Sequence, residues 1–254
     1  MINILIRGVG GRLGRAIAES TMSNPNTTVS GGVDIAGFMS QSFPVFTDLA
    51  SCDVPFDVII DCSIASAVPE LLEFGLKTKK PLVICTTGFS DEMLAKINAA
   101  SAEIPILKSA NMSIGINVIA GLLKKAAVLL ADSGFDIEIV EKHHNKKLDA
   151  PSGTALLLAD AINDSASGRF DYVYDRSQKR EERSRDEIGI SAVRGGGIIG
   201  EHTVIFAGSE EVIEINHTAM SKTIFAAGAV KAAEFIITAA PGLYDMSNVL
   251  SIEQ

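Results

Sequence analysis

Residues 2–14 read INILIRGVGGRLG, and this stretch decides the fold. Ile2 to Ile6 is mostly apolar and β-branched, as a buried strand requires. Gly8, Val9, Gly10, Gly11, Arg12, Leu13 and Gly14 follow at once, and helical spacing then carries the chain through Ile17 and Met22. Strand, glycine turn and helix in that order predict a dinucleotide-binding turn. Backbone N–H groups without side chains in the way can approach a pyrophosphate at a helix N-terminus. The glycines fall at 8, 11 and 14, so the spacing is G-x-x-G-x-x-G instead of the commoner G-x-G-x-x-G. A second strand, TVSGGVD, ends on Asp34. That position, about 20 residues past the last glycine, suits an acid that hydrogen-bonds an adenosine ribose. Asp34 would repel a ribose 2′-phosphate, and Ile35 stands where an arginine would clamp one, so NADH is expected ahead of NADPH.

Outward from this stretch the pattern repeats. FDVIIDCS, PLVICTTGF and EIPILKSAN are nearly continuous apolar runs, separated by helical stretches over 68–79 and 91–102. Alternation of this kind predicts an α/β, Rossmann-like, doubly wound parallel sheet. Ligands of such sheets sit beyond the carboxyl ends of the strands. Cys85, Thr86 and Thr87, and then Ser109, Ala110, Asn111 and Met112, are therefore candidates for the nicotinamide pocket. After Asn111 the pattern changes: Ile116, Ile119, Leu123, Ala127 and Leu130 recur at helical spacing, and FDIEIVEKHH alternates like a half-buried strand. Residues 164–187 are polar and mixed in sign and read as a long surface loop. ISAVRGG and the pair EHTVIFA and EVIEINHTA predict a hairpin within a second α+β domain, whose sheet is mixed and largely antiparallel. The tail from Thr223 to Thr238 is helical again.

The stretch 138–155, EIVEKHHNKKLDAPSGTA, concentrates the chemistry. Two of the chain's four histidines, His143 and His144, are adjacent here and can change protonation near neutral pH. Lys146 and Lys147 can hold or protonate an anion. Pro151 and Gly153 precede the apolar string ALLLADAI, which marks a helix start with the N–H groups of Gly153 and Thr154 facing outward. Together these describe a pocket for a small carboxylate undergoing proton transfer.

Composition narrows the function classes. The chain has 254 residues, 47% hydrophobic and 21% charged, an ordinary globular balance. A net charge of −9 argues against nucleic acid as a partner. Cys52, Cys62 and Cys85 are odd in number and lack C-x-x-C spacing, so neither a disulfide framework nor a metal site is expected. No uninterrupted apolar run reaches the ~18 residues of a membrane span, and the amino terminus shows no signal-peptide pattern. The expectation is a soluble cytoplasmic protein without a membrane partner.

The run from Glu141 to Ala155 resembles the signature of the dihydrodipicolinate reductase family, E-x-H-H-x-x-K-x-D-x-P-S-G-T-A. Glu141, His143, His144, Lys147, Asp149, Pro151, Ser152, Gly153, Thr154 and Ala155 match it. The glycine turn resembles the family's G-x-x-G-R-M-G with Leu13 for Met, and residues 85–88 its G-T-T-G with Cys85 as a departure. The likeness continues through Arg194, Gly200-Glu201-His202, His217 and Phe225–Ala229, with Lys222 where the family usually has arginine. It implies NAD(P)H-dependent reduction of a cyclic dicarboxylate, 4-hydroxy-tetrahydrodipicolinate, in diaminopimelate and lysine biosynthesis. Residues 1–114 and 224–254 would then form a dinucleotide-binding domain, and 115–223 a substrate-binding domain that assembles a homotetramer. Lys147 would supply the proton with His143 assisting, while His144, Gly153 and Thr154 hold carboxylate oxygens. Asp149 would orient the loop, and His202 and His217, on strands, would be structural. Two other readings remain open on the residues alone: an NAD(P)-dependent amine or amino-acid dehydrogenase of the same architecture, and a nucleotide-sensing regulator. The second would want a basic or helix-turn-helix face, and the sequence shows none.

Overall fold

The computed structural model describes residues 1–37 and 39–252. The chain divides into two compact units, Met1–Ile114 with Lys222–Ile252, and Gly115–Ser221. The first unit holds β1 (Ile2–Arg7), α1 (Arg12–Ser23), β2 (Thr27–Val33), β3 (Val45–Phe46), β4 (Val58–Asp61), α2 (Val68–Thr78), β5 (Leu82–Ile84), α3 (Asp91–Ser101) and β6 (Pro105–Lys108). The second holds α4 (Ile114–Asp132), β7 (Asp136–His143), α5 (Gly153–Ser165), β8 (Asp171–Val173), β9 (Glu187–Arg194), β10 (Glu201–Ala207) and β11 (Val212–Thr218). The chain then returns to the first unit with α6 (Thr223–Ile236), β12 (Gly242–Tyr244) and α7 (Met246–Val249).

The first sheet is parallel throughout, in the order β12-β6-β5-β4-β1-β2-β3. Strand order reverses between β1 and β4, which is the switch point where an open α/β sheet binds its ligand. Ile4, Ile6, Val58, Ile60 and Val83 are fully buried beneath α1 and α6, each such side chain contributing about 1.5–3 kcal/mol. Small residues let α6 approach closely: a Cβ at Gly228 would lie 1.7 Å from the Met112 carbonyl oxygen. The sequence predicts five of these strands, four of them from apolar runs and β2 from TVSGGVD. The other two, β3 and β12, are two and three residues long and exist by pairing with the edges of β2 and β6.

The second sheet runs β11-β10-β7-β9-β8. It is mixed as expected, but evenly so: β10 pairs antiparallel with β11 and β7, while β9 pairs parallel with β7 and β8. The parallel half arises because β7 is followed by the crossover helix α5. Nor is 164–187 only a solvated loop. It contains β8, and Arg183 donates to Asp136 and Glu138 (both 2.9 Å) and to the carbonyls of Ile137 and Glu187. One face of this sheet (Ile137, Ile139, Ile188, Ile190, Val204, Phe206) packs under α4 and α5. By length and composition α4 is apolar enough to cross a membrane. It carries Lys124 and Lys125 at mid-helix, which a bilayer centre penalises at about 2.5–3.5 kcal/mol each, and Ile116, Leu123 and Ala127 sit in the core.

Candidate active site

The first unit carries a candidate cofactor site at the switch point of its sheet. Gly8 has φ +78°, and a Cβ there would stand 2.8 Å from the Cys62 carbonyl oxygen, so this turn admits only glycine. Asp34 reaches back to the turn: one carboxylate oxygen accepts from the Gly10 N–H (2.8 Å), the other from Ala36 (3.0 Å). A cavity of about 270 Å³ opens beside them, lined among others by Gly8, Asp34, Ile35, Asp48, Ser63 and Glu70. A second cavity, of about 290 Å³, runs along Leu13, Cys62–Ala65 and Cys85–Thr87.

Beneath both lies a network that sequence reasoning missed. Asp61 is fully buried and accepts from Thr86 Oγ1 and Ser63 Oγ, each at 2.7 Å, with Arg7 at 4.0 Å. Burial pushes its carboxyl pKa up, against the pull of Thr86, Ser63 and Arg7. Arg7 is itself paired with Glu70 and donates to the Ala67 carbonyl. Thr86 therefore commits its hydroxyl to Asp61, and Thr87 is exposed. Burial pushes the Cys85 thiol well up and Cys62 up to about 12, so both remain thiols. After β6, Ser109 Oγ donates to the Asn111 carbonyl and Asn111 Oδ1 accepts from the Ser113 N–H. Ser109, Asn111 and Met112 are buried, Met112 within the core, and Ala110 is exposed. Gly11 and Arg12 are exposed at the start of α1, while Val9 is buried under the turn.

The second unit carries a candidate substrate site of its own, at one end of the helix-covered face of its sheet. Period-two alternation puts Glu141 and His143 on the same face as Ile137 and Ile139, and the strand register brings Arg194 beside His143 and His202 beside Glu141. Glu141 has no solvent exposure. Its Oε2 lies 2.6 Å from His143 Nδ1 and accepts from Arg194 Nη1 at 2.8 Å; its Oε1 accepts from Arg194 Nη2 at 2.7 Å and from the Ser152 N–H at 3.0 Å. Burial opposes this charge, but Arg194, His143 and Ser152 outweigh it and hold the carboxyl below its usual range. Burial lowers the His143 pKa, and nearby Lys147 and Arg194 add to that against the pull of Glu141. His143 is thus neutral at neutral pH.

Ser152 caps α5: its Oγ accepts from the Ala155 N–H and lies 2.9 Å from His202 Nε2. The His202 ring packs edge-on against His143, with centroids 5.1 Å apart, and burial lowers its pKa to about 4. Gly153 opens the helix beside open space, since a Cβ there would meet no heavy atom within 4 Å, and Thr154 follows it. Lys147 Nζ pairs with Asp149 at 2.8 Å, and Arg194 Nη2 donates to the Asp149 carbonyl at 2.6 Å. His144 Nδ1 is buried without a partner. Glu141 thus ties His143 to Ser152, the residue that precedes Gly153 and Thr154, while Lys147 pairs with Asp149. The sequence singles out His143 and Lys147, but it assigns Glu141, Arg194 and Ser152 no role and marks His202 only as a structural strand residue. Among the described residues no cluster of metal-ligating side chains occurs.

A family model described as dihydrodipicolinate reductase, N-terminus, matches residues 2–112, and one described as dihydrodipicolinate reductase, C-terminus, matches residues 115–250. The 4-hydroxy-tetrahydrodipicolinate reductase of Caldanaerobacter subterraneus subsp. tengcongensis is 52% identical over 250 residues, covering 98% of both chains. That of Clostridium perfringens is 46% identical over 254 residues, covering 99% of both. The dipicolinate-bound dihydrodipicolinate reductase from Paenisporosarcina sp. TG-14 superposes with a TM-score of 0.81 at 26% identity, covering 96% of this chain and 97% of that one. A probable dehydrogenase from Thermotoga maritima shares the fold at TM-score 0.64 and 12% identity.

Proposed function

The chain belongs to the dihydrodipicolinate reductase family, and from that premise we propose that Lys147 is the acid, and His143 its partner, in the reduction of 4-hydroxy-tetrahydrodipicolinate to tetrahydrodipicolinate and water. Family membership favours this step of diaminopimelate and lysine biosynthesis over an amine or amino-acid dehydrogenase. The observation that carries the assignment of roles is the buried Glu141–His143 pair. Glu141 holds the ring by Nδ1, burial keeps His143 neutral against the pull of that carboxylate, and Lys147 lies beside it, paired with Asp149.

The glycine turn and the acidic pocket fit a dinucleotide: Gly8 and Gly11 put no side chain over the head of α1, whose first-turn N–H groups lack intrahelical partners and suit a pyrophosphate, and Asp34 retains acceptor capacity for ribose hydroxyls. A bound nicotinamide supplies the hydride. The Gly153 and Thr154 N–H groups at the head of α5, together with the Thr154 hydroxyl and His144, hold carboxylate oxygens. Loss of the 4-hydroxyl as water leaves a C=C bond conjugated with the ring C=N bond; hydride adds to the far carbon of that C=C bond, negative charge builds toward the ring nitrogen, and a proton must be delivered there. Lys147 gives it, with His143 Nε2 accepting a hydrogen bond beside it. Asp149 holds the Lys147 ammonium until substrate displaces it.

Preference for NADH over NADPH rests on the cavity lining: Asp34, Asp48 and Glu70 are acids, and Arg7, the lone cation among the residues lining it, is already paired. The uncovered sheet face, where Val140 and Lys142 are half-buried and Val193 is 45% exposed, supports assembly of a homotetramer through these sheets. A biosynthetic role places the protein in the cytoplasm.

Substitution at Lys147 tests the roles. Lys147→Met is expected to cut kcat and kcat/KM by at least ~100-fold with NADH binding, followed by fluorescence, unchanged. Thr154→Val is expected to act mainly on KM. A Lys147→Met enzyme with near-normal kcat and raised KM would make Lys147 an anion anchor and overturn the assignment.

A further inference from the structure

Three parts of the second unit that the sequence keeps apart meet on one carboxylate. All four acceptor positions of Glu141 are occupied: His143 Nδ1, both terminal nitrogens of Arg194, and the Ser152 backbone N–H. An ionised carboxylate only accepts, so the His143 nitrogen facing it must carry the proton, and with no exposure no water competes for the place. We propose that Glu141 is a positioning residue, which holds His143 in the Nδ1–H tautomer so that Nε2 faces the site as an acceptor, and which fixes that ring to the anion-binding head of α5 through Ser152. The proposal deepens the reading of His143 and Lys147 as the proton-handling pair and rests on it.

The surroundings are built for this. Nε2 stays open because position 200 is glycine; a Cβ there would stand 3.1 Å from it. The back of the ring is packed by His202, which is in turn held by the Ser152 hydroxyl. Arg194 neutralises the buried carboxylate and donates to the Asp149 carbonyl, and the Asp149 side chain holds Lys147. One carboxylate therefore sets the tautomer of His143, the start of α5 and, through Arg194, the loop that presents Lys147. The commoner tautomer would turn an N–H toward the site and repel the Lys147 ammonium. Outer groups that fix an imidazole's tautomer are a recurrent device of histidine sites.

Glu141→Gln separates this role from a structural one. The Oε1 position faces two obligate donors, Arg194 Nη2 and the Ser152 N–H, whereas Oε2 faces Arg194 Nη1 and the adaptable ring. The glutamine oxygen takes the first place and its NH₂ group the second, which forces His143 to accept at Nδ1 and carry its proton at Nε2. ¹⁵N NMR of histidine-labelled protein, with His143 assigned by the signal lost in His143→Gln, reads this directly. The expected result at neutral pH is Nδ1–H in the unsubstituted protein and Nε2–H in Glu141→Gln. With that switch kcat falls at least ~10-fold, while KM for substrate and NADH affinity stay within about threefold, since the Ser152 contact survives. Nε2–H in the unsubstituted protein would overturn the proposal, as would a folded Glu141→Gln that keeps Nδ1–H or full kcat. Should Glu141→Gln not fold, the tautomer of the unsubstituted protein decides alone. An unchanged kcat in Lys147→Met refutes the acid assignment and leaves the tautomer result standing, so the two failures are distinct.

Discussion

Gly14→Ala puts the packing of the glycine turn to a test in which helix propensity points the wrong way. Gly14 lies in the first turn of α1, where alanine is favoured by about 1 kcal/mol. Its Cβ, however, would stand 2.2 Å from the Gly8 carbonyl oxygen, 2.7 Å from Val9 Cα and 2.9 Å from the Gly8 carbonyl carbon. All three are backbone atoms and cannot rotate away. Ordinary contact begins at 3.4 Å, so α1 and the turn must separate by 3.4 − 2.2 = 1.2 Å. Overpacking of a dense interior costs ~1–3 kcal/mol, and a rigid backbone collision belongs at the top of that range. Subtracting the propensity gain leaves a net loss of about 2 kcal/mol, or roughly 4–8 °C in Tm. The same displacement moves the N–H groups meant for the pyrophosphate, so NADH affinity should fall at least ~10-fold, with the positional sensitivity expected of a preorganised site. Calorimetry and NADH fluorescence titration measure both effects. Gly197→Ala, whose Cβ meets nothing within 4 Å, is the control and should leave both unchanged. A Gly14→Ala protein as stable as the parent and binding NADH equally would refute the reasoning.

Three further expectations follow from the geometry. Asp34→Ser removes the acid nearest the ribose and should raise kcat/KM for NADPH relative to NADH at least ~10-fold; an unchanged ratio would move the discrimination to Asp48 or Glu70. His202 titrates near pH 4 when folded against 6.5 unfolded, so its contribution is complete above pH 6.5 and lost as pH falls toward 4, because only the unfolded chain takes the proton. Urea melts across that window should show stability falling with pH, and His202→Gln should flatten the slope. Arg183→Ala strands the carboxylates of Asp136 and Glu138 and two carbonyls. It should cost about 2–3 kcal/mol, measurable by denaturant midpoint, whereas a loss under ~0.5 kcal/mol would return 174–186 to the status of a free loop.

What the sequence reveals follows from which interactions are local. Four of the central strands of the first sheet, β1, β4, β5 and β6, are legible because burial on both faces forces nearly unbroken apolar runs, and the glycine turn because its crowding excludes every other residue. β3 and β12 carry no such signal; Val45–Phe46 is a strand only because Gly32 and Val33 offer it an edge. The charge pattern of 164–187 conceals Arg183, whose carboxylate partners lie more than forty positions away. At the site, His143, Lys147 and the Ser-Gly-Thr turn are contiguous in sequence and therefore visible in it. Arg194 stands 53 positions from Glu141 and His202 50 from Ser152. Only the parallel register of β7 with β9 and the antiparallel register with β10 bring them together, and alternation along a strand cannot announce that. Sequence alone therefore makes His202 a core histidine, which describes its neutrality but not its hold on the cap of α5.

The central claim is reduction of 4-hydroxy-tetrahydrodipicolinate by a nicotinamide cofactor. Its most direct test follows NADH oxidation by the purified chain when the substrate is freshly generated, with tetrahydrodipicolinate quantified alongside. The account predicts one NADH consumed per product formed and no reduction of NAD⁺ in the presence of amino acids or amines. A protein that binds NADH but consumes none with this substrate, or that instead reduces NAD⁺ with an amino acid, would contradict it.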